Sequence, residues 1–132
     1  MGKNLKKFNP KSNILPMEIN ENLQAERNLK GAEFEKTGNL EKAVELYEEN
    51  VAESFKGNHP YDRLATIYKN QNDIENEIRV LEKAIIVFEE ITLEDRLEGL
   101  PKLFRFKNRL EKAVQTQTQL AKLARQKKSK LK

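Results

Sequence analysis

Between Gly31 and Ile85 the chain writes one helical hairpin pattern twice, 34 residues apart. Phe34 recurs as Tyr68, Gly38-Asn39-Leu40 as Asn72-Asp73-Ile74, Val44 as Ile78, Tyr47 as Leu81, and Val51 as Ile85. A unit of this length is one supersecondary element that cannot bury its apolar face alone, so it must stack on a neighbour. The expected fold is all-α: antiparallel helical hairpins with a long C-terminal capping helix.

Apolar spacing places the helices. The first starts near Pro16 to Asn20, where Pro suits a first turn and Asn can cap, and runs to Thr37. Its core-facing row reads Leu23, Arg27, Lys30 and Phe34, half of it charged. Gly38 supplies the positive φ that ends a helix, and Asn39 caps the next. From Leu40 to Phe55, Leu40, Ala43, Val44, Tyr47 and Val51 share one face, with Glu41, Glu45, Glu48, Glu49 and Glu53 opposite. Gly57-Asn58 breaks this helix, and Pro60 begins a third with Tyr61, Leu64, Ala65 and Tyr68 inward, stopped by Asn70 to Asp73. A fourth runs from Ile74 with Ile78, Leu81, Ala84 or Ile85, and Phe88 inward. Such short connections force antiparallel neighbours.

Thr92 to Gly99 reads as a polar connection. From Pro101 the row Leu103, Phe106, Leu110, Ala113 or Val114, Gln117, Leu120 or Ala121, and Ala124 describes one long helix. Gln115, Gln117 and Gln119 dilute its second half, so docking is expected to about Val114, with the remainder projecting. A helix covering the open end of a repeat array needs no partner to explain its first half. Phe34, Tyr47, Tyr61, Tyr68 and Phe88 read as core, and Phe104 as an exposed apolar contact.

Charge is segregated along the chain. Of 25 basic residues, ten lie in residues 1–15 and 120–132, which hold no acid; the middle keeps 15 basic against 21 acidic side chains, a formal charge of −6. The basic pI therefore describes the ends and not the body. The organisation expected is a flexible basic arm over 1–17, one helical domain over 18–128 with its capping helix at 101–128, and a basic tail at 129–132. No long apolar run or exported leader is evident, and there is no cysteine, which together suit a cytoplasmic protein without a membrane anchor.

Residues 24–57 and 58–91 resemble two tetratricopeptide repeats, whose period is the one observed. Of the eight positions where that family favours Trp, Leu, Gly, Tyr, Ala, Phe, Ala and Pro, the first copy supplies Gly31, Phe34, Ala43 and Tyr47 and departs at Arg27, Lys30, Asn50 and Phe55. The second supplies Leu64, Ala65, Tyr68, Leu81 and Ala84, with Tyr61 standing for Trp, and departs at Glu77 and Glu89. The run from His59 to Ala65, followed by Glu77 to Ile85, is similar to a variant common in small bacterial repeat proteins. The resemblance implies a non-catalytic module that binds a peptide or helix of a partner in a groove lined by the first helix of each repeat. Carried over residue by residue, the groove is offered by Asn28, Glu35 and Lys36 (with Ala25 and Ala32) and by His59, Asp62, Thr66, Lys69 and Asn70. The Lys and Asn with which the chaperone-binding branch holds a C-terminal carboxylate are replaced here by Asn28 and Ala32, so that clamp is absent.

An active site has little to stand on. His59 is the only histidine, the five glycines are isolated, and the carboxylates are spread along helix faces, so neither an enzyme nor a cofactor is expected. Glu77 stands where the family wants a small residue, and a pair with Arg63 is expected to neutralise it. The expected partner is a protein or peptide, with self-association into a homodimer also open. The alternative is an accessory nucleic-acid binder using Lys122, Arg125, Lys127, Lys128, Lys130 and Lys132, which without aromatics or a reading motif would contact phosphates indifferently to sequence.

Overall fold

The computed structural model describes residues 20–95 and 99–130, the side chains of 95, 129 and 130 excepted. Five helices follow one another: α1 (Glu21–Lys36), α2 (Leu40–Ala52), α3 (His59–Asn70), α4 (Ile74–Asp95) and α5 (Leu100–Lys130). They pack in sequence, α1 on α2, α2 on α3, α3 on α4 and α4 on α5. The arm read over 1–17 and residues 96–98 lie outside the described residues, as does Lys132.

The two hairpin turns are copies of each other at the atomic level. In the first, the N–H groups of Thr37, Gly38 and Asn39 donate to the carbonyls of Glu33, Glu35 and Phe34 at 3.1, 3.2 and 2.8 Å. In the second, Gln71, Asn72 and Asp73 donate to Ile67, Lys69 and Tyr68 at 3.0, 3.0 and 2.8 Å. Both need one residue in the left-handed region, filled by Gly38 (φ 83) and then by Asn72 (φ 61). Asn20 and Asn39 cap α1 and α2, each side chain accepting from the backbone N–H three residues on.

A single core runs through the second hairpin and the cap. Tyr61, Leu64 and Ala65 of α3, Val80, Leu81 and Ala84 of α4, and Phe106 of α5 are all fully buried. Phe106 meets Tyr61 edge-on at 6.3 Å between ring centroids and Phe88 at 5.4 Å. Leu103 and Ala113 are the outer buried residues of α5, and every described side chain from Val114 to Lys128 is exposed. The 31-residue α5 outruns the 22-residue α4 against which it packs.

Several expectations are corrected. The buried residues of α1 are Gln24 and Gly31, with Arg27 and Phe34 beside them, whereas Leu23 and Lys30 point outward. Helix α2 stops at Ala52, before Phe55, because Ser54 takes a positive φ of 56° and Phe55 N–H donates to Asn50 O. Leu40 is half exposed, and Asn50 instead joins Ala43, Tyr47 and Val51 in the interior. Helix α3 opens at His59, one residue ahead of Pro60. Thr92 to Asp95 continue α4 as helix, the Thr92 hydroxyl donating to Phe88 O at 2.7 Å.

Candidate functional site

The side of the stack that carries the groove candidates is formed by α1, α3 and α5, and its polar residues divide into two groups. Toward α1 they bind one another. Arg63 of α3 donates through Nε and Nη2 to the two carboxylate oxygens of Glu35 at 3.0 and 2.6 Å, and Tyr47 OH donates to the same carboxylate at 2.7 Å. Burial works against the Glu35 charge, but these hydrogen bonds overcome it and hold the carboxyl below its ordinary range. Burial and the bond to Glu35 push the Tyr47 hydroxyl well up. The expected Arg63–Glu77 pair is therefore not formed: Arg63 faces α1, while Glu77 sits on the inner side of α4.

Asp62 is engaged just as fully on the other side of α3. Arg109 of α5 donates to it at 2.7 Å, Arg105 at 3.2 Å and Asn58 Nδ2 at 2.5 Å. Arg109 also reaches Thr66 Oγ1 at 3.4 Å, and both arginines lie over the Phe106 ring, 5.6 and 5.9 Å from its centroid. These two charge networks tie α1 to α3 and, beside the Tyr61–Phe106 contact, α3 to α5.

Beyond Asp62 the face opens. Thr66, Lys69 and Asn70 of α3, Ile74 and Glu77 of α4, and Arg109, Lys112 and Thr116 of α5 surround a recess of about 550 Å³. Lys69, Asn70 and Lys112 are exposed at its rim, and Glu77 is only 7% exposed. Burial raises the Glu77 carboxyl above its ordinary range, an effect that the nearby charges of Lys69 and Arg109 offset only in part. A larger hollow of about 950 Å³ lies along α5 around Phe104, which is 59% exposed, but a single helix lines it.

The eight groove candidates thus fall in different places. Glu35 and Asp62 are held in ion pairs, Asn28 accepts from Asn50 Nδ2 at 2.9 Å, and Lys36 is exposed at the end of α1. His59 stands edge-on to Tyr47 at 5.4 Å, its Nε2 buried without a hydrogen-bond partner among the described residues. Thr66, Lys69 and Asn70 are brought together on the recess. Sequence reasoning missed Arg109, Lys112 and Thr116, which complete it from α5; the spacing of Arg105 and Arg109 at i, i+4 beside the apolar row was the available signal. In the tail, Lys122, Arg125, Lys127 and Lys128 are exposed and, at roughly 100° per residue, ring the helix instead of lining one face.

Residues 59–85, which span α3, its turn and the first half of α4, match the tetratricopeptide repeat family model. That stretch is similar to one tetratricopeptide repeat. Among curated proteins and solved structures none matches significantly. Tetratricopeptide repeats generally mediate protein–protein interaction, and the family is typically a non-catalytic scaffold. Among the described residues no group of three or more His, Asp or Glu could hold a metal, and no helix is long and apolar enough to cross a membrane. Of the residues around the recess, the matched segment supplies Thr66, Lys69, Asn70, Ile74 and Glu77, and α5 closes it.

Proposed function

We propose that the chain is a protein-binding module that holds a segment of a partner protein on the α3–α5 side, centred on the recess beside Lys69 and Lys112. One observation carries this reading. Polar residues on either side of this region are committed to one another, Glu35 to Arg63 between α1 and α3 and Asp62 to Arg109 between α3 and α5, whereas Lys69, Asn70 and Lys112 stand exposed around a concavity. A recess of that size lies within the usual range of ligand-binding clefts, roughly 300–1,000 Å³. Committed pairs rigidify a surface, and exposed donors around a hollow are the groups with hydrogen-bonding capacity to offer.

The test is capture with chemical cross-linking from a lysate of the source cells, using the full chain, a chain ending at Leu120, and the double variant Lys69→Glu/Lys112→Glu. The expected result is a protein cross-linked near α3 by the first two and lost from the third, with far-ultraviolet circular dichroism unchanged. Capture that vanishes on truncation and on nuclease treatment would move the function to the Lys122–Lys132 tail and a nucleic acid, where affinity falls steeply with salt.

A further inference from the structure

The floor of the recess carries an unbalanced charge. Glu77 is 7% exposed, and among the described residues no hydrogen bond or ion pair reaches its carboxylate. Arg109, the cation placed to neutralise it, turns its guanidinium to Asp62 at 2.7 Å and to Thr66 at 3.4 Å. Lys69 and Lys112 remain at the rim, one on α3 and one on α5, and among the described residues neither is ion-paired. The site is thus a carboxylate whose side chain is mostly covered and whose oxygens open to the recess, beneath two exposed cations.

We propose that the recess takes a lysine or arginine side chain of the partner segment, with acidic residues flanking it in that segment; this rests on the protein-binding reading of the same face. Each part of the ligand follows from one part of the site. A mostly covered carboxylate without a protein partner is compensated by a cation that donates to it directly, and its oxygens remain reachable from the recess for such a group. The rim sets what stands beside the base. A segment carrying only basic residues meets Lys69 and Lys112 as like charges, and one carrying only acidic residues leaves Glu77 facing a like charge. A base flanked by acids satisfies both, and the mismatched alternatives are rejected by repulsion. The basic ends of this chain, at 1–15 and 120–132, contain no acid and do not have that pattern.

The proposal is tested by fluorescence anisotropy with the full chain and three capped, labelled pentapeptides: Asp-Glu-Lys-Glu-Asp, the same peptide with norleucine for Lys, and Lys-Lys-Lys-Lys-Lys. The wild-type chain is expected to bind the first at least about tenfold more tightly than the other two. In Glu77→Gln, which keeps the side-chain shape, the preference for Lys over norleucine is expected to disappear. In Lys69→Gln/Lys112→Gln both acidic peptides are expected to weaken alike. Equal binding of the Lys and norleucine peptides by the wild type, no binding of either, or a preference that survives in Glu77→Gln would each overturn the proposal. An array of unrelated peptides separates this from the broader reading. Peptides without an acid-flanked base that are held equally by wild type and Glu77→Gln, and released by Lys69→Glu/Lys112→Glu, would leave the protein-binding face standing and remove the Glu77 pocket. An array that retains nothing would count against both.

Discussion

The two hairpins share a backbone and differ in what holds it. Between α3 and α4 the contact is apolar, with Leu64, Ala65, Val80, Leu81 and Ala84 each fully buried. Between α1 and α2 the centre is Asn50, also fully buried, which donates to Gln24 O and Asn28 Oδ1 at 2.9 Å each and accepts from Arg27 Nη1 at 3.0 Å. Arg27 extends the network to Glu49 and Glu53 at 3.0 and 2.9 Å, and Gln24 Nε2 donates to Glu53 at 3.0 Å. The Glu53 carboxyl is held low, chiefly by its hydrogen bond from Arg27. At Gly31, where an added Cβ would stand 2.5 Å from Tyr47 Cε1, α1 and α2 approach closely over an aromatic ring. The repeat length fixes where helices turn; it leaves open whether burial or hydrogen bonding closes the pair. The consequence is a difference in sensitivity: the second hairpin responds to lost volume, the first to lost partners.

The sharpest way to break that comparison is Phe106→Ala. Phe106 touches Tyr61 and Phe88 at the heart of the apolar core, and its removal is expected to cost roughly 3–5 kcal/mol in urea unfolding, as for other buried aromatics. A cost below about 1 kcal/mol would mean that the core the second hairpin shares with α5 is not volume-limited. Next comes Asn50→Ala, which leaves Gln24 O and Asn28 Oδ1 without their donor and Arg27 without an acceptor; about 2–3 kcal/mol is expected. A loss near zero would show that water replaces the network, and the contrast between hairpins would fail.

Two substitutions of intermediate size differ in sign. The Glu77 carboxyl is raised in the folded chain, so its contribution favours folding below the unfolded Glu value and is lost as pH rises through the folded one. Glu77→Gln should therefore raise stability at pH 7 by about 1 kcal/mol, with the gain gone below about pH 4. The Glu35 carboxyl is lowered, so its contribution is present above the unfolded value and disappears as pH falls through the folded one. Glu35→Gln should cost about 1 kcal/mol at pH 7 and progressively less in acid. Thermal melts at pH 4 and pH 7 check both, and like signs at pH 7 would contradict the assignment. Smallest is Lys56→Ala: its pair with Glu94 at 3.3 Å has both side chains more than half exposed, and a change under about 0.5 kcal/mol, vanishing in high salt, is expected.

These differences also explain what could be read from the residues alone. Helix order and turn positions were legible because Gly38 and Asn72 occupy the same point of two copies and because α2, α3 and α4 carry apolar residues at helical spacing. The face of α1 was not, since periodicity detects burial of apolar groups and an interface built from Gln24, Arg27 and Asn50 has no such signal. For the same reason Leu23 and Lys30 were placed inward. Thr92 to Asp95 read as a connection by their polarity, although a Thr whose hydroxyl returns to the carbonyl four residues back fits within a helix. On the candidate site, α3 was found through its family positions, while the α5 contribution was hidden because a capping helix has no repeat register to carry residues over from. The Arg63–Glu77 pairing failed because sequence proximity does not report which face of α3 a side chain takes.

In the second half of α5 every described side chain, as far as Lys128, is exposed. A stretch with its side chains exposed tends toward the helix–coil equilibrium, in which a segment of this length is marginal in water, and the docked turn at Ala113 supplies the nucleus that an isolated peptide lacks. Arg125, Lys127 and Lys128 stand near the carbonyl end, where positive charge favours the helix dipole until salt screens it. The reach of this arm is therefore a quantity that ionic strength and temperature adjust while the body of the protein stays folded.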